Sequence, residues 1–297
     1  MTTEHPIVPE EQQLPGRRYT PAGIEVPAPS ERDVLYEVRD GVAWITLNRP
    51  MILNAADWSL ILHLGRALDR AEADADVRVV VLGGAGRAFC AGADLQSAQF
   101  YPKPDDLPDQ SMPDNGMRIW RMSKPVIASV RGHAVGMGFQ IAGMCDLTIA
   151  AEEAVVGELQ IRNGLLPPML ITPFLTGLKE AKWVLLTGAT MTAAEAQRIG
   201  IVNQVVPAAD LDATVEALAV KMAALPAVPM VGMKKIINRV YEIAGMMEGF
   251  DYFGDPALTD LTASMQRASE EARAQRAALI EEQGWDAFRA QRDANFR

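Results

Sequence analysis

Short runs of apolar and β-branched residues in the first half of the chain predict buried β-strands. They lie at Val42–Leu47, Val77–Leu82 and Pro125–Val130. A further alternating run, Val34–Arg39, comes directly before the first of them, and only Asp40 and Gly41 separate the two. Because Asp-Gly favours a two-residue turn with positive φ angles, this pair of runs predicts a β-hairpin.

Helical periodicity occurs between these strands and dominates the end of the chain. Asp57 is predicted to cap a helix whose apolar stripe continues to Glu72, and Thr192 to cap Ala193–Ile199. From Asp210 onward the pattern is helical, with a break at Pro226 and Pro229, a stripe from Met233 to Met247 and a last section from Pro256. Further short strands are predicted at Leu147–Ala151, Val155–Gly157 and Asn203–Val206.

Two segments interrupt the periodic pattern. Residues 1–32 are rich in proline and charge, which predicts either an extended arm on a neighbouring subunit or a mobile tail. Phe100–Asn115 contains four prolines and four aspartates, which predicts an irregular loop. Such a loop either covers a ligand pocket or is a solvated surface insertion.

Two of the predicted strands run directly into glycine-rich turns. Gly83–Leu95 follows the strand at Val77–Leu82, and Arg131–Asp146 follows the strand at Pro125–Val130 and continues as a helix. The N–H groups at a helix start are free to bind negative charge, and glycines let a ligand approach the backbone. Two such turns can direct two N–H groups at one oxygen, as in an oxyanion hole for a thioester carbonyl that becomes an enolate. A turn that only packs, without a ligand, is the alternative.

Composition excludes several classes of protein. The chain has 297 residues, 49% of them hydrophobic, which allows one large domain or a domain with an appendage. A net charge of −10 disfavours nucleic acid as a partner. Cys90 and Cys145 lie in apolar surroundings and predict free thiols and a cytoplasmic protein. The three histidines lack metal-binding spacing, and neither a signal peptide nor a membrane span is predicted.

Several segments, in a consistent order, resemble the crotonase (enoyl-CoA hydratase/isomerase) superfamily. Gly86–Leu95 is similar to its first signature and Gly132–Asp146 to its second. The other similar segments are Arg49–Ala55, Thr187–Gly188, Ala193–Pro207 and Ala287–Arg297, so that the resemblance covers residues 33–297. It implies an α/β fold with a spiral core of ββα units over 33–207, after the arm at 1–32. It also implies a helical appendage over 208–297 that joins trimers, which can pair into hexamers.

The resemblance also implies a site for an acyl-CoA thioester, with no cofactor beyond that substrate and no metal. The backbone N–H groups of Ala93 and Met137 would form the oxyanion hole. Asp94 is expected to hold its loop. The residues expected to contact the substrate are Met51, Leu53, Ala91, Gly92, Asp94, Leu95 and Gly136.

The chain departs from the family at the two glutamates that hold and activate water in a typical hydratase. Gln140 and Gln160 occupy the matching positions, and an amide can orient water but cannot transfer a proton. A substitute acid is then needed. Glu158 is the first candidate, on the same face as Gln160 if that segment is extended, and Asp114 is a weaker one.

Two functions remain open at this point. The first is an enzyme of the hydratase/isomerase kind, and the second is a non-catalytic acyl-CoA-binding protein that kept the pocket and lost the acids. If both glutamines stand at the acid positions, hydration of crotonyl-CoA should be slow, and changing both to glutamate should raise the rate. Gly84–Phe89 is a poor dinucleotide fingerprint, and the sequence contains no G-x-S-x-G motif of a serine hydrolase.

Overall fold

The computed structural model describes residues 18–19, 25–26, 28–94, 102–252 and 254–294. Most of the predicted arm, and Leu95 among the expected substrate contacts, lie outside the described residues. Within the arm, β1 (Arg18–Tyr19) pairs antiparallel with β2 (Glu25–Val26). A 3-10 turn at Glu31–Asp33, capped by Ser30, then leads into the core.

The predicted hairpin is confirmed. β3 (Val34–Arg39) and β4 (Val42–Leu47) pair antiparallel along their whole length. Asp40 and Gly41 connect them with φ angles of 52° and 73°. Two consecutive positive φ angles match the right-handed twist of the strands, which explains why the Asp-Gly pair occurs here.

β4 is also part of a six-stranded sheet, which is parallel apart from the β3–β4 pair. Across the sheet the strands follow the order β11 (Gln204–Val206), β8 (Leu147–Ala151), β6 (Val126–Val130), β5 (Val79–Gly84), β4 and β3. The reversal of strand order that characterises dinucleotide-binding sheets does not occur in it. A second sheet has the order β10 (Met191–Thr192), β9 (Val155–Gly157) and β7 (His133–Val135).

Both faces of the large sheet are buried. Alternate side chains of β5 point to opposite faces: Val80 and Leu82 belong to the larger core, and Val79 and Val81 to the smaller one. The larger core is covered by α1 (Trp58–Ala73), α2 (Met112–Arg121) and α3 (Met137–Met144), and the smaller by α7 (Leu211–Ala223). As predicted, Asp57 caps α1, and its carboxylate accepts a 2.9 Å hydrogen bond from Leu60 N–H.

Helix α2 corrects the prediction of an irregular loop at Phe100–Asn115, because Met112–Asn115 already form its first turn. Ser111 and Asp114 make a capping box, in which Asp114 accepts a 2.7 Å hydrogen bond from Ser111 N–H. Pro113 is tolerated because the first turn needs no intrahelical N–H donor. Asp114 is exposed and engaged at this cap, which argues against its candidacy as a catalytic acid.

The rest of the chain after β9 is mainly helical. Thr192 caps α6 through a capping box with Glu195, as its sequence position predicts. Asp210 precedes α7 but makes no side-chain cap. Gly245, with a φ of 94°, divides the helical stripe predicted from Met233 to Met247 between α8 (Ala227–Ile243) and α9 (Met246–Phe250). The helices are α4 (Thr172–Leu175), α5 (Leu178–Thr187), α6 (Ala193–Arg198), α8 (Ala227–Ile243), α9 (Met246–Phe250) and α10 (Thr259–Asp293).

Among the described residues, no single helix combines the length and apolar character needed to cross a membrane. In the part of the chain that the structure describes, Ala208–Ala223 and Ala227–Ile243 would meet those criteria only as a pair, and they are bent by 108° relative to each other.

Candidate active site

Three chain segments run side by side and end at one place. β7 pairs parallel with β9, and the N–H of Gly136 donates a 2.9 Å hydrogen bond to Gly157 O. On its other side, β7 bridges to Cys90 in the loop after β5. The first residues after these segments are therefore neighbours: the 91–93 loop, the start of α3, and Glu158.

Glycines allow the loop after β5 to lie directly against the start of α3. A Cβ atom at Gly138 would stand 2.2 Å from Cys90 O, which is far inside van der Waals contact. Gly92 has a φ of 94°, a conformation in which L side chains are strained, and a Cβ there would be 3.8 Å from the nitrogen of Met137. The backbones of the two turns are thus in contact, as expected from the sequence.

The local pairing orients the two N–H groups named from the sequence. Ala56 pairs with Ala93 in parallel fashion: Ala56 N–H donates to Gly92 O at 2.7 Å, and Asp94 N–H donates to Ala56 O at 2.8 Å. In such a pairing the N–H of Ala93 points away from Ala56. Met137 is the first residue of α3, where an N–H has no acceptor within the helix.

A buried ion-pair network braces the loop beneath these groups. Arg49 lies between two carboxylates, with its guanidinium 3.0 Å from Asp57 and 3.2 Å from Asp94. Burial raises the pKa of Asp57, and the charge of Arg49 opposes that rise. Asn54 adds hydrogen bonds to the carbonyls of Ala85, at 3.0 Å, and Ala88, at 2.8 Å. Asp94 is thus paired with Arg49, and its expected role in holding the loop stays a prediction.

Three polar side chains are buried beside the two turns. Gln140 is fully buried on the first turn of α3, and Glu158 is only 2% exposed. Gln160 is also buried, and its amide nitrogen would be 4.0 Å from a Cβ at Gly136. The segment carrying Glu158 and Gln160 is not extended as assumed from the sequence, because Gln160 opens a 3-10 turn. Both side chains are nevertheless buried from solvent.

Most of the polar atoms of these three side chains lack a protein partner within the described ranges. The unpartnered atoms are Gln140 Oε1, both carboxylate oxygens of Glu158, and both amide atoms of Gln160. Gln140 uses its Nε2 to donate a 3.0 Å hydrogen bond to Met169 O. An unpartnered buried polar atom costs about 1–3 kcal/mol, and five together indicate a site that a ligand or water completes.

Glu158 has the electrostatics of an acid–base group. Burial raises its pKa from the usual 4.5 to about 8. The Gln140 amide is close enough to lower the pKa in part, although no hydrogen bond of normal geometry joins the two side chains. A carboxyl with a pKa near 8 is mostly protonated at neutral pH and can both give and take up a proton near that pH. Shifts of this kind are concentrated at functional sites.

Tyr252, between α9 and α10, is not among the residues predicted for the site from the sequence. Its hydroxyl donates a 2.9 Å hydrogen bond to Pro167 O, close to Met169, which Gln140 holds. Burial raises the pKa of Tyr252 to about 12, and the nearby Glu158 adds to the rise. Tyr252 and Gln140 thus hold the same short segment, Pro167–Met169. A single tyrosine in a segment read as helix carried no signal that could have revealed this contact.

The other residues predicted for the site lie along the loop that enters it. Leu53 has a positive φ of 56°, and its carbonyl accepts a 3.0 Å hydrogen bond from Ala91 N–H. Met51 is exposed. Their contacts with a substrate stay predictions. Both cysteines are free and buried, as predicted, and burial raises the pKa of the Cys90 thiol to about 11.

Comparison with known proteins shows the family to which the chain belongs. The model of the enoyl-CoA hydratase/isomerase family matches residues 37–293. A "probable enoyl-CoA hydratase" of Rhizobium meliloti is 37% identical over 231 residues, which cover 75% of this chain and 87% of that protein. One from Mycobacterium tuberculosis is 35% identical over 222 residues, covering 74% of this chain and 86% of that protein.

Solved structures give the same result. The crystal structure of an enoyl-CoA hydratase/isomerase from Xanthobacter autotrophicus has a TM-score of 0.79 and 32% identity, covering 89% of this chain and 98% of that one. A monofunctional enoyl-CoA isomerase from Mycobacterium smegmatis has a TM-score of 0.59 and 31% identity, covering 74% and 94% of the two chains. The chain is an α/β protein of the crotonase fold and belongs to the enoyl-CoA hydratase/isomerase family.

Proposed function

We propose that the protein is an enzyme that acts on an acyl-CoA thioester and uses Glu158 as its acid–base group. The thioester carbonyl oxygen would accept hydrogen bonds from the N–H groups of Ala93 and Met137, which stabilise the enolate that forms there. The observation that carries the proposal is the carboxyl of Glu158, which is buried beside the turns that hold these N–H groups and makes no hydrogen bond of normal geometry with the described residues.

Glu158 would transfer the proton at the carbon next to the thioester carbonyl. In an isomerisation, a proton leaves that carbon and an enolate forms. In a hydration, water adds at the next carbon, and the resulting enolate must take up a proton at the carbon beside the carbonyl. A group with a pKa near 8 suits either direction at physiological pH. The proposed chemistry is therefore of the hydratase or isomerase kind, carried out by one carboxyl group.

The two glutamines would have separate roles. Gln140 already donates to Met169 O and so holds the Pro167–Met169 segment. Gln160 keeps both amide atoms free of partners in the described structure and is the group that can orient a water molecule or a substrate. The absence of glutamate from both positions then limits the rate of hydration but does not remove the acid–base group.

An enzyme is favoured over a non-catalytic acyl-CoA-binding protein. The relatives named above carry the names of hydratases and isomerases. In addition, a buried carboxyl costs stability whenever it ionises, and binding of a thioester through two backbone N–H groups does not require it. A role in proton transfer accounts for its presence.

Turnover by the purified protein tests this proposal. We expect the protein to consume 2-enoyl-CoA or 3-enoyl-CoA thioesters, and separation of the products identifies the reaction. The free acids should not react, because the CoA part is needed for binding. Tight binding of every thioester with no turnover of either series would instead support the non-catalytic alternative.

We also propose that the protein is cytoplasmic, which its two free thiols support.

We further propose that the protein forms trimers, alone or paired as hexamers, through its C-terminal helices. α8 exposes Val228, Ile236, Val240 and Ile243 and borders an apolar groove of about 660 Å³. Apolar area of this kind marks an interface. Sedimentation at micromolar concentration is expected to give a trimer or hexamer, and Ile236→Lys to shift it toward monomer. A stable monomer of the unchanged protein would contradict the proposal.

A further inference from the structure

The polar lining of the site is larger than a hydrocarbon acyl chain can satisfy. Gln140, Glu158 and Gln160 together contribute five buried atoms that lack partners among the described residues. One water molecule makes about three hydrogen bonds, so a single reacting water leaves part of this set unsatisfied. A saturated or unsaturated hydrocarbon chain contributes no donor and no acceptor.

The lining contains both donors and acceptors. Gln160 offers a donor in its Nε2 and an acceptor in its Oε1, and Gln140 offers a further acceptor. A protonated Glu158 adds one of each. A ligand carbonyl would use only the donors, whereas a hydroxyl group both donates and accepts and so matches the mixed set.

A negatively charged acyl group does not fit this place. Burial and the Gln140 amide are the causes that set the pKa of Glu158, and no cationic side chain in the described structure contributes to it. A carboxylate on the ligand would therefore meet a second acid without a balancing charge, at a cost that rises steeply in a buried site.

We propose that the acyl group of the substrate carries a hydroxyl group of its own, which hydrogen bonds to Gln160 and Glu158, in addition to any water that the reaction consumes. This inference rests on the proposed function. The Gln160 amide nitrogen would be 4.0 Å from a Cβ at Gly136, the residue before Met137. The hydroxyl would therefore be on one of the first carbons beyond the carbonyl.

Calorimetric binding of three CoA thioesters of similar length tests the inference: butyryl-CoA, 4-hydroxybutyryl-CoA and succinyl-CoA. The 4-hydroxy compound is chosen because a 3-hydroxyl would itself be the product of hydration. We expect 4-hydroxybutyryl-CoA to bind about tenfold more tightly than butyryl-CoA, since one well-placed hydrogen bond accounts for such a ratio. Succinyl-CoA should bind more weakly than butyryl-CoA.

Gln160→Met keeps the length of the side chain and removes its hydrogen bonding. It should bring the ratio of the affinities for 4-hydroxybutyryl-CoA and butyryl-CoA close to one. The matched control is Gln197→Met, at an exposed glutamine of α6 whose Nε2 donates to Asn203 O at 3.3 Å, and it should preserve the tenfold ratio.

The outcomes separate the two proposals. If butyryl-CoA and its hydroxyl derivative bind equally, or succinyl-CoA binds most tightly, the inference about the acyl group is overturned and the proposed function stands. If the preference exists but survives Gln160→Met, the assignment to Gln160 is overturned. If none of the three thioesters binds, the proposed function fails, and the inference fails with it.

Discussion

Replacing Glu158 by glutamine is expected to lower the kcat for an enoyl-CoA substrate by about 10²–10⁴-fold, the usual contribution of a positioned acid–base group. Glutamine keeps the shape of the side chain but cannot transfer a proton. The thioester should still bind, because the N–H groups of Ala93 and Met137 belong to the backbone and do not depend on Glu158. KM or Kd should therefore change little.

The pH profile links the loss to this residue. In the unchanged protein a step that uses the protonated carboxyl should slow above pH about 8, and a step that uses the carboxylate should accelerate there. Glu158→Gln should remove that limb of the profile. Glu153→Gln, an exposed change five residues earlier, is the matched control and should keep both rate and profile. An active Glu158→Gln variant with the same profile would show that another group transfers the proton.

The same substitution should stabilise the fold at alkaline pH. Folding raises the pKa of Glu158 from 4.5 to about 8, so the folded state holds a proton that the unfolded chain has already released. The free energy of unfolding therefore falls as pH rises through this interval. Glu158→Gln removes that loss, and the variant should gain up to a few kcal/mol at pH 9 and almost nothing near pH 4.5. Urea unfolding at both pH values measures the difference and shows that lost activity is not lost folding.

Local signals in the sequence predicted much of the fold. The turn at Asp40 and Gly41 and the caps at Asp57 and Thr192 depend on residues a few positions apart, so the chemistry that forms them is readable in the sequence. Met112–Asn115 show the limit. Prolines and aspartates are typical of loops, but Pro113 and Asp114 stand in the first helical turn, where the same residues are favourable.

The site was predictable in its backbone and less so in its side chains. Glycine patterns at Gly92 and Gly138 indicated two turns that could meet, and their contact is present. The burial of Glu158 depends on the 3-10 turn that begins at Gln160 and on packing by distant segments, and neither leaves a periodic signal. Tyr252 approaches Glu158 from 94 positions away in the chain, a contact that only the folded structure reveals.

Gln160→Glu is expected to raise the rate of hydration of crotonyl-CoA. The new carboxyl would stand near Glu158 in a buried place, where two like charges repel, so that one of the pair stays protonated near neutral pH. Such a pair divides between two groups the acid and base roles that Glu158 alone would otherwise fill in turn. Because neither amide atom of Gln160 has a partner in the described part of the chain, the substitution gives up no protein hydrogen bond. The gain could approach about 10²–10⁴-fold but should be smaller, since the surroundings are not arranged for a second charge.

Gln140→Glu distinguishes the effect of a carboxyl group at position 160 from the effect of any carboxyl group added to the site. Its Nε2 donates to Met169 O, so Gln140→Glu would lose that bond and place an acid against a carbonyl oxygen. We therefore expect Gln140→Glu to lower stability without the gain in rate, and the double change at 140 and 160 to fall below Gln160→Glu alone. Measurement of kcat/KM on crotonyl-CoA should also show that Glu158→Gln cancels the gain in the Gln160→Glu background, because only one carboxyl then remains. If the unchanged protein already hydrates crotonyl-CoA at the rate of the Gln160→Glu variant, one carboxyl suffices for both proton transfers, and Gln160 does not limit the reaction.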